Sequence, residues 1–284
     1  MEITFWGVRG AIPSPGSDFN RYGGNTSCVS VRGLSGQLVI LDAGTGITGL
    51  GRTLMGGMFG QGRGRATLLL THAHWDHIQG IPFFAPVYVP GNRFAIYGPS
   101  DSAEMMEGIL EGQMNPHFSP VQSLRNLGAE IQFRATVEGA AMEIAGMSVT
   151  ARSVPHGRIS ALAYRLEVGD ASAVYVPDAG YVGGEPDPAV LELYRGATYL
   201  IHDCTYSVED QAKRESRGYS SVAIAARVAA RSQVRHLVMF HYDQDYTDRQ
   251  VDELAARTRE HLDREPGGSA VKLVAAHEGL TLRA

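Results

Sequence analysis

The sequence predicts an α/β fold in which layered sheets are covered by helices, and three observations carry that expectation. Short β-type runs recur along the whole chain, and several are apolar at every position. Fewer segments place apolar residues at the three- and four-residue spacing of a helix face. The 34 glycines in 284 residues exceed the usual share of ~7% and imply many tight turns between short elements. A strand apolar throughout has both faces covered, as Leu68-Leu69-Leu70 and Leu237-Val238-Met239-Phe240 require. Sheets inside with helices outside satisfy that need.

Taken in order, β-type runs at 2–6, 26–31 and 37–41 open the chain, followed by a helical pattern at 45–55. The glycine- and arginine-containing stretch 56–64 reads as a mobile surface loop. Strands are expected at 67–71 and 93–97, a helix at 102–111, and strands at 130–133, 147–153, 162–168 and 173–176. A helix at 188–195 and a strand at 199–202 come next. The chain finishes with a helix at 220–232, a strand at 236–240, a helix at 248–262 and a strand at 271–275. No linker and no repeat of fixed period divides it, so one domain spanning 1–284 is expected.

Composition narrows the function classes. Twenty-five Lys and Arg against 30 Asp and Glu give a net charge of -5, without the basic excess that sequence-independent nucleic-acid binding uses, so nucleic acid is not the expected partner. Cys28 and Cys204 are the only cysteines, too few for a disulfide framework and not arranged as CxxC, which fits a reducing cytoplasm. The first residues lack the basic start, apolar run and cleavage site of a signal peptide. No apolar stretch approaches the roughly 18 residues of a membrane span.

Chemistry concentrates in Thr71-His72-Ala73-His74-Trp75-Asp76-His77, directly after the apolar run at 67–70. In extended chain, residues i and i+2 point the same way, so His72 and His74 can present two imidazoles to one cation. Asp76 and His77 follow as the chain turns into a short helix, offering a carboxylate and a third imidazole at another angle. Four donors from six residues exceed what one tetrahedral ion takes from so short a segment. Two adjacent metals, completed by ligands from elsewhere, fit better.

This HxHxDH pattern resembles the metallo-β-lactamase superfamily of metallohydrolases, and the resemblance extends over nearly the whole chain. It implies a four-layer αββα sandwich of two similar halves with a metal pair at one edge. It also implies His72, His74 and His156 on one metal, Asp76, His77 and His241 on the other, and Asp178 between them. Asp42 matches a family aspartate that supports the histidine loop, where ligand imidazoles need their second nitrogen fixed. Nitrogen and oxygen donors without thiolate suit two Zn²⁺ ions, and the same donor types also accept Mn²⁺ or Fe²⁺.

The opening Phe5-Trp6-Gly7-Val8-Arg9-Gly10-Ala11-Ile12-Pro13, the segment Arg21-Tyr22-Gly23-Gly24-Asn25-Thr26-Ser27-Cys28, and His77-Ile78-Gln79-Gly80-Ile81-Pro82 resemble the phosphodiesterase branch of that superfamily. That branch includes phosphoribosyl cyclic phosphodiesterases, cyclic-nucleotide phosphodiesterases and tRNA 3'-processing endonucleases. In it the first loop rims the cleft, and its glycines would let backbone N–H groups approach a phosphate. Arg9 and Arg21 read as surface salt-bridge partners or as added positive charge for the phosphate. The long arm of the tRNA-processing enzymes is missing after His156, where Gly157-Arg158-Ile159 turns at once into a strand.

The resemblance therefore implies a hydrolase of small phosphodiesters, such as cyclic nucleotides or cyclic ribose phosphates, working by attack of a metal-held hydroxide on phosphorus. Alternatives are hydrolysis of a carboxylic ester, lactone or thioester, RNA 3'-end processing, and nucleotide sensing without turnover. A homodimer is a further implication of the branch. Asp76, Asp178, Tyr219 and His202 are the candidate catalytic groups. Tyr219 stands in Gly218-Tyr219-Ser220-Ser221, where related sequences commonly carry a histidine that handles the leaving group.

Overall fold

The computed structural model describes residues 1–34, 36–99, 102–119, 121–214 and 217–284. Two mixed sheets face each other. The first contains β1 (Glu2–Gly7), β2 (Cys28–Arg32), β3 (Leu38–Leu41), β4 (Arg65–Leu69), β5 (Arg93–Gly98) and β6 (Glu130–Ala135). The second contains β7 (Ala141–Ile144), β8 (Met147–His156), β9 (Ile159–Val168), β10 (Ala171–Val176), β11 (Tyr199–Asp203), β12 (His236–Phe240) and β13 (Lys272–Ala275). The C-terminal β14 (Thr281–Arg283) returns to pair with β1 at the edge of the first sheet.

The halves repeat one topology. β1, β2 and β3 are antiparallel and then β3 to β6 run parallel. β7 to β10 are antiparallel and then β10 to β13 run parallel. Helices α1 (Ile47–Met55) and α3 (Ala103–Gly112) pack on the first sheet, with the short α2 (Trp75–Ile78) following β4. Helices α4 (Pro188–Tyr194), α6 (Val222–Arg231) and α7 (Asp248–Arg264) pack on the second, and the short α5 (Val208–Lys213) follows β11. The layers run helix, sheet, sheet, helix, as the resemblance implied.

The doubly apolar runs have the physical role expected of them. In β3, Val39 and Leu41 enter the core between the sheets, while Leu38 and Ile40 enter the core under α1. In β4, Leu69 points inward and Leu68 outward, and both are buried. Successive side chains on a strand face opposite ways, so a strand sandwiched between two cores has no polar positions. The edge strands β7 and β14 lack such a run, which is why periodicity alone does not reveal them.

The stretch 56–64 corrects one expectation. It folds as a 3₁₀ turn, Met58–Gln61, with Phe59 buried against Phe94 at 5.8 Å between ring centroids. Asn92 Nδ2 donates to the Phe59 carbonyl at 2.9 Å, and the Asn92 carboxamide oxygen accepts from Gly64 N at 2.8 Å. One aromatic inserted into the outer core converts a glycine-rich surface segment into an anchored one.

Truncating a side chain between the sheets tests this packing. Leu41→Ala should cost about 2–5 kcal/mol, the range for emptying a packed core position. Urea unfolding should show a lower midpoint with an unchanged slope; a midpoint within error of the wild type would refute the assignment of Leu41 to the inter-sheet core.

Candidate metal centre

Every candidate ligand sits at or just beyond the carboxyl end of a strand. β8 and β10 run the same way because both are antiparallel to β9, so β8, β10, β11 and β12 all end at one edge of the second sheet. His156 is the last residue of β8, Asp178 follows β10, Asp203 ends β11 and His241 follows β12. Opposite them, Asp42 follows β3 and residues 70–77 follow β4.

The histidine loop is held from beneath by one carboxylate. Asp42 is fully buried and accepts from Thr71 N at 2.8 Å, Thr71 Oγ1 at 3.0 Å, His77 Nδ1 at 2.8 Å and Tyr175 Oη at 2.9 Å. Its φ of 57° is left-handed, a conformation that costs a non-glycine residue energy and persists only where surroundings enforce it. The second sheet closes the support, since Tyr164 Oη donates to the Leu70 carbonyl at 2.9 Å and Leu162 N to the Thr71 carbonyl at 2.8 Å.

His72, His77, His156 and His241 are each fixed through Nδ1 and turned inward with Nε2, while His74 Nδ1 meets His156 Nε2 at 3.2 Å. His156 Nδ1 donates to the Gly218 carbonyl at 2.9 Å, His72 Nδ1 meets Thr71 Oγ1 at 3.1 Å, and His241 Nδ1 meets Thr205 Oγ1 at 3.1 Å. The inward atoms converge in three overlapping groups whose donor atoms lie within 4.8 Å of one another: His72, His74 and His156; His72, His77 and Asp178; and Asp76, His77 and His241. Asp178 is 1% exposed, and neither of its carboxylate oxygens has a hydrogen bond. His72 Nε2 and His77 Nε2 are likewise buried without hydrogen bonds, although His77 Nε2 lies 2.9 Å from Asp178 Oδ2.

Buried polar atoms left in this condition are rare in native proteins and ask for a partner. Electrostatics names its sign. Burial opposes ionisation of Asp178, but His241 and His77 outweigh it and hold the carboxyl well below its usual range; Asp76 behaves the same way beside His77 and His241. Burial also opposes charge on His77, yet Asp76, Asp42 and Asp178 raise its affinity for a proton. His72 and His74 are driven toward the neutral, ligating form by burial and by neighbouring imidazoles. The donor set fits two divalent cations: neutral imidazoles at one end, and carboxylates that draw positive charge at the other.

Close approach of backbones is built into the site. A Cβ on Gly10 would lie 2.2 Å from His241 Cε1, so only glycine lets the first loop pass over that ring. Gly218, at φ +74°, would place a Cβ 1.8 Å from Gly157 N, which explains how its carbonyl reaches His156.

The loop's N–H groups, expected to face a phosphate, are already used: Gly10 N donates to the Tyr242 carbonyl at 3.0 Å and Ala11 N to Asp76 Oδ2 at 2.7 Å. Arg9 is neither a surface residue nor a cleft cation. It is fully buried, donating to the carbonyls of Gly23, Asp243 and Tyr246. Arg21 is the exposed ion-pair partner of Asp252.

The seven candidate ligands come together, and Tyr219 joins them. Its ring packs on His156 and His241 at centroid distances of 5.1 and 5.5 Å. Burial, with Asp178 and Asp76 nearby, pushes the phenol pKa upward, so the hydroxyl keeps its proton. His202 is not among them. It is fully buried in the second half, with Nε2 on Tyr181 Oη at 2.8 Å and Nδ1 on the Asp203 carbonyl at 2.8 Å, and burial lowers its pKa to about 4.

Three residues near the cleft escaped the sequence reading. Thr205 Oγ1 links His241 to Asp203 Oδ1, which lies 2.7 Å away. Asp203 also accepts from Ala179 N at 3.1 Å and Ser220 N at 2.8 Å, tying the Asp178 and Tyr219 segments together. Arg217 is the one Lys or Arg among the described residues lining the cleft, a cavity of about 260 Å³ bounded also by His74, His156, Tyr219 and His241. Asp-Ala-Gly follows β3 at 42–44 and recurs after β10 at 178–180, marking equivalent strand ends in the two halves, but no comparable sequence mark singles out these three.

The β-lactamase superfamily domain matches residues 38–242. The chain belongs to the metallo-β-lactamase superfamily. Ribonuclease Z of Mycolicibacterium paratuberculosis is 30% identical over 260 residues, covering 85% of this chain and 86% of that protein. The metallo-β-lactamase fold protein YhfI of Bacillus subtilis superposes with a TM-score of 0.72 at 16% identity, over 100% of this chain and 98% of that one. Yeast PDE1 does so with a TM-score of 0.70 at 13% identity, over 100% and 99%. The domain match and the ribonuclease Z relationship put this superfamily member in the phosphodiesterase branch, as a metal-dependent hydrolase, while the two solved structures share its fold. No helix among the described residues is long and apolar enough to cross a membrane.

Removing the support for His77 tests the centre. Asp42→Ala should strand the His77, Thr71 and Tyr175 donors and lower metal affinity by about 10–100-fold, the usual loss when a ligand's hydrogen-bond partner is removed. Competition with a chromogenic chelator measures it; unchanged affinity would refute the supporting role.

Proposed function

We propose that this hydrolase cleaves small phosphodiesters at a centre of two divalent cations, with His72, His74 and His156 holding one, Asp76, His77 and His241 the other, and Asp178 shared between them. The observation that carries the reading is the Asp178 carboxylate, buried with neither oxygen hydrogen-bonded and faced by the Nε2 atoms of His72, His77 and His241. A carboxylate with two acceptor oxygens facing ligand-type nitrogens is suited to bridging. Zn²⁺ is the ion best matched to this set of imidazoles and carboxylates. When bound, such a pair supplies Lewis-acid charge for phosphoryl oxygens and acidifies water to a pKa near 7.

The chain's own residues do the rest. Arg217 at the cleft wall offers a cation to a phosphoryl oxygen, and its partner among the described residues is only the Tyr206 hydroxyl at 3.4 Å. Tyr219 lines the same cleft and keeps its hydroxyl proton, which we assign to a hydrogen bond with the departing oxygen. His202 takes no part, because both ring nitrogens are engaged elsewhere. A cleft of about 260 Å³ with one arginine among its described lining residues suits a compact substrate. An acyl ester or thioester would leave that arginine without a phosphoryl partner.

A second reading, cleavage at RNA 3' ends, is favoured by the ribonuclease Z relative, which matches most of this chain at similar length. That relationship weakens the expectation against nucleic acid drawn from the net charge. The direct turn from β8 to β9 and the scarcity of cleft cations keep the small diester ahead. Parallel assays on bis(p-nitrophenyl) phosphate, a 2',3'-cyclic nucleotide, a 3'-extended tRNA and an acyl thioester separate the readings. Turnover confined to the thioester would overturn phosphodiester hydrolysis, and turnover confined to tRNA would replace the first reading with the second.

Elemental analysis of metal-replete protein should give about two transition-metal ions per chain, and Asp178→Ala should hold fewer and lose hydrolysis while remaining folded. Two ions and near-native turnover in that variant would rule out the bridge. Tyr219→Phe should lower the rate on an alkoxide leaving group by a factor of tens to hundreds, in line with the loss of one catalytic hydrogen-bond donor. The loss should shrink with p-nitrophenolate, and Tyr219→His should retain activity and add a titration near neutral pH. Equal rates for wild type and Tyr219→Phe on the alkoxide would reduce Tyr219 to a packing role.

A further inference from the structure

Tyr219 has a second face. One side of the residue borders the metal cleft, and it also borders a separate cavity of about 600 Å³ that begins at Gly157 and Gly218, beside His156. That volume lies within the range of ligand pockets. The cavity therefore adjoins the metal centre through one shared aromatic wall.

Its lining has a distinct chemistry. Much of it is bare backbone, from Gly157, Gly180, Gly183, Gly184 and Gly218, so a ligand can lie against it without meeting side chains. Gly183 and Gly184 adopt φ of 68° and 75°, which holds their turn in a left-handed form that side-chain-bearing residues resist. Val182 and Val208 are 85% and 42% exposed, an unusual amount of apolar surface for residues lining one concavity. None of the described lining residues is charged. The polar side chain present besides the tyrosines is Gln211, whose Nε2 donates to the Tyr219 carbonyl at 2.9 Å, leaving its amide oxygen as an acceptor toward an amino or imino group.

We infer that this cavity binds the neutral, planar base of a nucleoside phosphodiester whose phosphate lies at the metal centre. The inference deepens the phosphodiesterase reading and rests on it. No cation lines the cavity among the described residues, Arg227 coming only to the rim at Gly184 and facing Glu185, so an anionic group would be poorly held, and a sugar would find few hydrogen-bond partners. A flat heteroaromatic ring matches apolar walls, a glycine floor and one amide acceptor, and Tyr219 adds an aromatic face at the junction. The charged end and the uncharged end of such a substrate are thereby recognised by two adjoining and chemically opposite compartments.

The test is equilibrium binding by calorimetry to the Zn²⁺-loaded full chain, using adenosine 5'-monophosphate and ribose 5-phosphate, which differ only by the base and its replacement by hydroxyl. Wild type should bind the nucleotide at least tenfold more tightly. Ala212→Trp, on the exposed face of α5 that lines the cavity, should bring the two affinities within about twofold of each other by filling the base site. Equal affinities in wild type, or a preference undiminished in the variant, would overturn the inference. Hydrolysis of bis(p-nitrophenyl) phosphate is scored separately. Hydrolysis with no base preference removes the cavity's role alone, whereas a base preference without hydrolysis of any diester removes the phosphodiesterase reading and leaves a nucleotide-binding cavity.

Discussion

The buried carboxylate of Asp42 is the interaction on which the arrangement of this protein depends. It accepts from the backbone and hydroxyl of Thr71, from the His77 ring and from the Tyr175 hydroxyl, so one side chain joins the end of β3, the histidine loop after β4 and a strand of the opposite sheet. An ionised carboxylate cannot be buried without such partners, and the partners cannot reach it unless both sheets are in place. Formation of the inter-sheet core and orientation of His77 are therefore one event. The left-handed backbone at Asp42 belongs to the same requirement, because an extended residue there would carry the carboxylate away from the loop it holds.

The second half solves the same problem with different residues. Asp203 accepts from Thr205, Ala179 and Ser220, and Thr205 in turn meets His241, whose backbone is also left-handed at φ 60°. Each sheet thus contributes an acidic residue that holds an imidazole, His77 directly and His241 through Thr205, and the two imidazoles stack at 5.4 Å between ring centroids. Between these rigid supports lies Asp178, whose oxygens face imidazole nitrogens without a hydrogen bond. The cost of that burial is borne by an architecture that restrains every neighbour, which is how a site can be both strained and precise in geometry.

The loops beyond this frame shape the cleft. Tyr219 follows a glycine crossing in which Gly218 touches Gly157 and Gly180, so its ring position is set by backbone contact and by the bonds of Ser220 N to Asp203 and Ser220 Oγ to the Ala179 carbonyl. A half-buried phenol there stands between a cleft containing metal-ligand donors and Arg217 and a cavity with no charged side chain among its described lining residues. Replacing an imidazole by a phenol at this junction exchanges a titrating group for a hydrogen-bond donor that stays protonated, while enlarging the aromatic surface offered to a ligand.

Local rules were enough to find the strands buried on both faces, the long helices and the HxHxDH segment, because each is a statement about neighbours a few residues apart. The spacing of His72 and His74 on extended chain needed no knowledge of the rest of the molecule. His156, Asp178 and His241 were legible only through resemblance, since a single strand-end histidine or aspartate has no periodic mark. What only the tertiary structure decided was the role of each isolated polar residue: Arg9 drawn into the interior as a clamp on carbonyls, His202 locked between Tyr181 and backbone, Thr205 and Asp203 recruited behind His241, and Arg217 left at the cleft wall. Those outcomes follow from which donors and acceptors lie within about 3 Å after two sheets close on each other, and hydrogen bonding at that range is set by distance in space, which residue order does not encode.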